Sequence, residues 1–109
     1  MKDATELMQS AMAEAAEEAS VCLRALSNPS RLLLLCHMVD GQKSVGELEK
    51  ALELGQAYVS QQLARLRAEG IVAAERNGRQ VRYSICDNRI APVIGVLHDQ
   101  FCAPEADSR

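Results

Sequence analysis

Four cysteines, a glutamine-rich stretch and a set of arginines are the side chains of this 109-residue chain whose types and spacing could do chemistry. Cys22, Cys36, Cys86 and Cys102 include no Cys-x-x-Cys pair, so neither a zinc ribbon nor a thioredoxin-type motif is present. In a reducing compartment such residues act as free thiols, metal ligands or redox sensors rather than as structural cross-links. Cys36 sits inside the run Leu32-Leu33-Leu34-Leu35-Cys36, and free cysteine is among the most buried residue types, so taken alone it reads as core. Cys102 stands beside a polar tail, where packing explains it less well. Cys22 reads as helix packing, and Cys86, closing a strand-like run, is either inert or a second redox site. His98 and Asp99 are adjacent and point about 100° apart on a helix, which does not make a metal half-site, so no metal ligand set is assigned. No nucleophile, base and orienting group recur together and no glycine-rich phosphate loop exists. The sequence therefore offers no catalytic residue and implies no cofactor.

The polar set points to nucleic acid. Gln56, Ala57, Tyr58, Ser60, Gln61 and Gln62 fall in the first two turns of one segment, and glutamine can read adenine through two hydrogen bonds. Arg65, Arg67, Arg76, Arg79 and Arg82 follow and suit phosphates, which dominate affinity without reading sequence. A formal net charge of −3 conceals this segregation. Residues 1–55 hold five basic and nine acidic groups, 56–89 hold six and three, and 90–109 hold one and three. The middle stretch alone is basic.

Placing these residues requires a particular series of elements. From about Thr5 to Leu26, the positions of Met8, Met12, Ala15, Ala19, Leu23 and Leu26 form the stripe of an amphipathic helix. Asn28-Pro29 combines an N-cap residue with proline at the first helical position and opens a second helix running to about Val39. Its leucine run is apolar nearly all round and is expected to be buried. Ser44-Val45-Gly46-Glu47 has the form of a capping box and starts a third helix reaching about Leu52. After the turn at Leu54-Gly55, a fourth helix from Gln56 to about Glu69 points Val59, Leu63 and Leu66 inward and stops at Gly70.

Ile71 to Arg76 and Arg79 to Cys86 read as two strands joined by an Asn77-Gly78 loop, with Val81, Tyr83 and Ile85 facing in and Gln80, Arg82 and Ser84 facing out. A last helix begins near Pro92, striped by Ile90, Val93, Ile94, Leu97 and Phe101. The expected fold is mainly α with a β-hairpin wing: a winged helix-turn-helix of five helices and two strands. Its second short helix enters the major groove and its hairpin follows the backbone. Residues 1–103 form the single domain and 104–109 a disordered tail. Hydrophobic residues make up 48% and aromatics only 3% of the chain, so the core is aliphatic. A core this small favours burying the first and last helices on a second subunit. The acidic N-terminus lacks a long apolar run, which argues against a signal peptide or membrane contact and for the cytoplasm.

Leu26-Ser27-Asn28-Pro29-Ser30-Arg31-Leu32, Tyr58-Val59-Ser60-Gln61-Gln62-Leu63-Ala64-Arg65-Leu66 and Gly70-Ile71-Val72 resemble the ArsR/SmtB family of bacterial repressors over about residues 20–102. The resemblance implies a homodimer built on the first and last helices, double-stranded operator DNA as partner, and an inducer that lowers operator affinity. Arsenic- and cadmium-sensing members carry Cys-x-Cys on the third helix, which here has no sulfur ligand. Leu35-Cys36-His37, Lys43-Ser44-Val45-Gly46-Glu47-Leu48 and Phe101-Cys102 are similar to the dithiol persulfide-sensing SqrR/BigR branch. That similarity implies that reactive sulfur species are the inducer and that Cys36 and Cys102 are the redox-sensing pair, joined by a disulfide or longer sulfur bridge. Two other readings stand beside it: a repressor in which these thiols bind a soft metal or metalloid, or respond to general thiol oxidation, and a winged-helix protein-interaction module with no operator.

Overall fold

The first three helices begin where a side chain satisfies orphan backbone donors. The computed structural model describes residues 3–102; the expected tail lies outside them. Helix α1 (Ala4–Leu26) opens on a reciprocal capping box between Asp3 and Glu6. Helix α2 (Pro29–Met38) opens on Asn28, whose Oδ1 accepts from the N–H groups of Ser30 and Arg31. A two-residue strand β1 (Lys43–Ser44) precedes α3 (Val45–Leu52), and Ser44 closes a second capping box with Glu47. Helix α3 ends on Glu53 in the left-handed conformation, and α4 (Gln56–Ala68) follows from Gly55. Strands β2 (Val72–Asn77) and β3 (Gln80–Ile85) lead to α5 (Ile90–Phe101).

The sheet has three antiparallel strands in the order β1-β3-β2, one more than the hairpin expected from sequence. Lys43 pairs with Tyr83 and Ser44 with Arg82. Two residues are too few to show a period, which is why β1 escapes pattern reading. The hairpin loop also differs by one position. Asn77 pairs with Gln80, so the loop is Gly78-Arg79, with Gly78 at φ 69° in its first central position, the arrangement of a type II′ turn. The glycine supplies the positive φ at that position, and Arg79 is carried to the tip. Helix α5 starts two residues earlier than expected, because Pro92 can occupy its first turn, where an N–H has no intrahelical partner.

Leu34 and Leu35 of α2, Leu48 of α3, Leu63 and Leu66 of α4 and Ile90 of α5 are fully buried and form one aliphatic core with Val59, Ile71 and Val72. The leucine run of α2 is not buried all round: Leu33 and Cys36 are exposed on the side away from Leu34 and Leu35. Helix α1 contributes only its last turns, through Cys22, Ala25 and Leu26, while Leu7, Met8, Met12 and Leu23 stay exposed. Among the described residues no helix is long and apolar enough to cross a membrane.

An ionic cluster ties α1 to the start of α5. Arg89 donates from Nε to Asp87 Oδ1 at 2.9 Å and from Nη2 to Oδ2 at 2.8 Å, and its Nη1 reaches Glu18 Oε1 at 3.2 Å. Buried Cys22 adds an Sγ donor at 3.7 Å from Asp87 Oδ2. The bidentate Arg89 contact, first among these causes, holds the Asp87 carboxyl down at about 2, against an ordinary 3.8.

Candidate functional site

Helices α3 and α4 meet at the turn around Gly55, and the hairpin projects beside α4, which completes a helix-turn-helix with a wing. On α4 the positions 59, 62, 63 and 66 share one face at the 3.6-residue period and are buried: Val59, Gln62, Leu63 and Leu66. Gln56, Ala57, Tyr58, Gln61 and Arg65 remain exposed on the other, with Ser60 half-buried at its edge. Gln62 therefore departs from the expected base-reading set. It is only 7% exposed, and its Oε1 accepts from Arg31 Nη1 at 3.2 Å.

Among the described residues Arg65, Arg67, Arg76 and Arg79 are exposed and enter no side-chain hydrogen bond or ion pair, so their guanidinium groups are free for anions. Arg82, expected to join them, is instead held within the fold. Its Nη2 donates to Glu47 Oε1 at 3.0 Å and to the Gln42 carbonyl at 3.2 Å, and its Nη1 to Gln80 Oε1 at 3.1 Å. The cause is β1, which brings α3 and Gln42 over the β3 face that carries Arg82. The Ser44 N–H, and then Arg82, keep the Glu47 carboxyl below its ordinary range.

On the opposite side of α2, a groove of about 720 Å³ runs between α2 and α5. Leu32, Leu33 and Val39 form one wall, Ile94, Leu97 and Phe101 the other, and both Cys36 and Cys102 open into it. All four cysteines are free thiols. Desolvation by the groove pushes the Cys36 thiol up from its ordinary value, and the charge of Cys102 pushes it the same way. Cys36 is thus not the core residue that its leucine neighbours suggest, because it occupies the outward position of α2.

The remaining candidates are accounted for separately. Cys22 is buried, and burial followed by the Asp87 charge raises its thiol; Cys86 is exposed and donates to the Gly70 carbonyl at 3.4 Å. His98 and Asp99 lie on the surface, 3.8 Å apart. Among the described residues no group of three or more His, Cys, Asp and Glu side chains is gathered to hold a metal ion. Sequence reading missed the Arg31–Gln62 and Asp87–Arg89–Glu18 contacts, whose longest partners are 31 and 71 positions apart. Separations of that size leave no local pattern.

Residues 28–74 match the family model "Bacterial regulatory protein, arsR family". The chain is 41% identical over 103 residues to a biofilm growth-associated repressor of Agrobacterium fabrum, covering 94% of this chain and 88% of that protein. The crystal structure of the transcriptional repressor BigR from Xylella fastidiosa superposes with a TM-score of 0.84 at 41% identity, covering 88% of this chain and 98% of that one. Reduced HlyU from Vibrio cholerae, a protein described as a transcriptional activator, superposes at 0.78 with 37% identity over 84% of this chain and 96% of that one. Three similarities to transcriptional regulators, each over more than four-fifths of both chains, thus coincide with a helix-turn-helix whose outward face and wing are polar and basic, and the chain belongs to the arsR family of bacterial regulatory proteins.

Proposed function

We propose that this protein is a cytoplasmic homodimeric repressor that binds operator DNA through α4 and the β2–β3 wing and releases it when reactive sulfur species join Cys36 to Cys102. The observation that carries the sensing half is that two thiols 66 positions apart in sequence open into one apolar groove. The repressor sign follows the relatives from Agrobacterium and Xylella, while HlyU bears the name of an activator.

The chemistry proceeds by thiol exchange. One cysteine thiolate attacks the terminal sulfur of a hydropersulfide RS–SH, forming a protein persulfide, Cys–S–SH, and releasing RS⁻. The second thiolate then attacks the inner sulfur, making the Cys36–Cys102 disulfide and expelling HS⁻. Both protein thiols are oxidised and one sulfane sulfur is reduced. Persulfidation of both cysteines before closure leaves one extra sulfur in the bridge. Because the groove holds Cys36 largely protonated, the closing step accelerates as pH rises and more of its thiolate forms.

A bridge across the groove draws the C-terminal end of α5 toward α2. Val96 and Phe101 of α5, with the exposed stripe of α1, are the apolar surfaces available to a second subunit. Operator half-sites lie about 34–36 Å apart along DNA, so a changed α5 orientation alters the spacing of the two recognition helices and costs affinity. Serine at position 36 or 102 is expected to preserve binding to an operator selected by the reduced protein. It should also abolish a polysulfide response of roughly 5- to 150-fold, the usual range of allosteric coupling. Fluorescence anisotropy reads both; a full response in either variant contradicts the assignment.

A further inference from the structure

We infer that the Arg31–Gln62 hydrogen bond is the positioning contact that fixes α4 on the protein body and carries the state of the α2–α5 groove to the DNA-reading face. The inference rests on the thiol-sensing reading above and names its route to α4. Arg31 is the third residue of α2, and its guanidinium spans three helices. Nε donates to the Ala25 carbonyl at 3.2 Å, Nη2 to the Arg24 carbonyl at 3.0 Å, and Nη1 to Gln62 Oε1 at 3.2 Å. The first two acceptors lie in the last turn of α1, where the Arg24 carbonyl also accepts from the Ser27 N–H at 3.2 Å and its Oγ at 2.8 Å. The third lies within α4, one position from exposed Gln61, a base-reading candidate.

A planar fork fixed at two points has little freedom left at the third, and its charge strengthens the bond to a buried amide. Elsewhere the α4 interface is made by Val59, Leu63 and Leu66, whose contacts resist separation but are not directional. The Arg31 bond therefore specifies how α4 is turned and tilted, whereas the leucines specify that it is packed.

Arg31 and Cys36 are five positions apart on α2, about 140° around the axis, so they look toward different neighbours. This ten-residue helix packs against α1 and α3 and reaches α4 through Arg31, while its Cys36 side opens on the groove shared with α5. A helix this short moves as a unit. Rolling it to bring Cys36 onto Cys102 carries Arg31 past Gln62 and strains or breaks the bond. The pull of the bridge on one side of α2 thus becomes a change in α4 on the other.

Gln62→Met tests this directly, because it keeps the volume and burial of the side chain while removing the acceptor. Gln62→Glu restores an acceptor for Arg31 and serves as the rescue. Reduced and polysulfide-treated forms of wild type and both variants are titrated against the selected operator across a salt series, with intact mass recording the extent of bridging. Gln62→Met is expected to bridge as fully as wild type. In the reduced form it should bind about tenfold more weakly with an unchanged salt slope, since no phosphate contact is lost. Its response to bridging should fall at least threefold below that of wild type, and Gln62→Glu should regain it. Wild-type affinity and a wild-type response in Gln62→Met overturn the inference while leaving the sensing reading in place. Wild-type protein that bridges without losing affinity overturns the sensing reading and this inference with it.

Discussion

Exposure divides the polar residues of α4 and the wing into separate tasks. Gln61 is exposed on the helix and Arg79 rides the tip of a type II′ turn, and in the proposed complex the first reads a base edge and the second meets a phosphate. Gln61→Ala is therefore expected to cost about 1–3 kcal/mol on the selected operator and little on random DNA. Arg79→Ala should weaken both alike and reduce the salt slope by about one. Equal losses on both DNAs for Gln61→Ala would contradict the division. At this scale residue types were legible in the sequence and their partners were not. The glutamine-rich stretch is plain in the sequence, but the six candidate positions between 56 and 62 look like one surface there, although the helical period turns Gln62 inward with Val59. Arg82 looked like its neighbours until β1 brought Glu47 and Gln42 against it.

The elements were the most readable level, because capping and turn chemistry is local. Asn28, Ser44 and Glu47 mark their helix starts in sequence as they do in space. What escaped was whatever depends on distant segments: the two-residue β1, the earlier start of α5, and the Asp87–Arg89–Glu18 cluster that fastens α1 to α5. That cluster has a testable signature. The Asp87 carboxyl titrates at about 2 in the folded protein against an ordinary 3.8, so its contribution is present above the ordinary value and lost as pH falls from there through 2. Asp87→Asn is expected to lower the Tm at pH 7, with the deficit shrinking between pH 4 and pH 2. A deficit that does not change with pH in a thermal-melt series would contradict this.

The whole molecule is extended by its first helix. The 23 residues of α1 span about 34 Å. The radius of gyration is 16.7 Å, where a compact chain of this length has about 13 Å. Met8 and Met12 are 68% and 58% exposed, and Phe101 is 81% exposed, so the two helices expected to meet a second subunit carry apolar surface with nothing over it. Sedimentation velocity is expected to show a dimer at micromolar concentration, and glutamate at both Met8 and Met12 should shift it toward monomer with loss of operator affinity. A monomeric wild type that still binds DNA would contradict that arrangement. The amphipathic stripe of α1 was legible in the sequence, but what it packs on was not, since one chain's pattern does not name its partner.

The central claim joins all three scales and is tested most directly by one measurement on the native protein: intact mass after polysulfide treatment, with the same sample titrated against its selected operator. The expected result is a Cys36–Cys102 link, with or without added sulfur, accompanied by loss of DNA affinity that a thiol reductant restores. Full operator affinity in the linked protein, or loss of affinity without any link between these two cysteines, would contradict it.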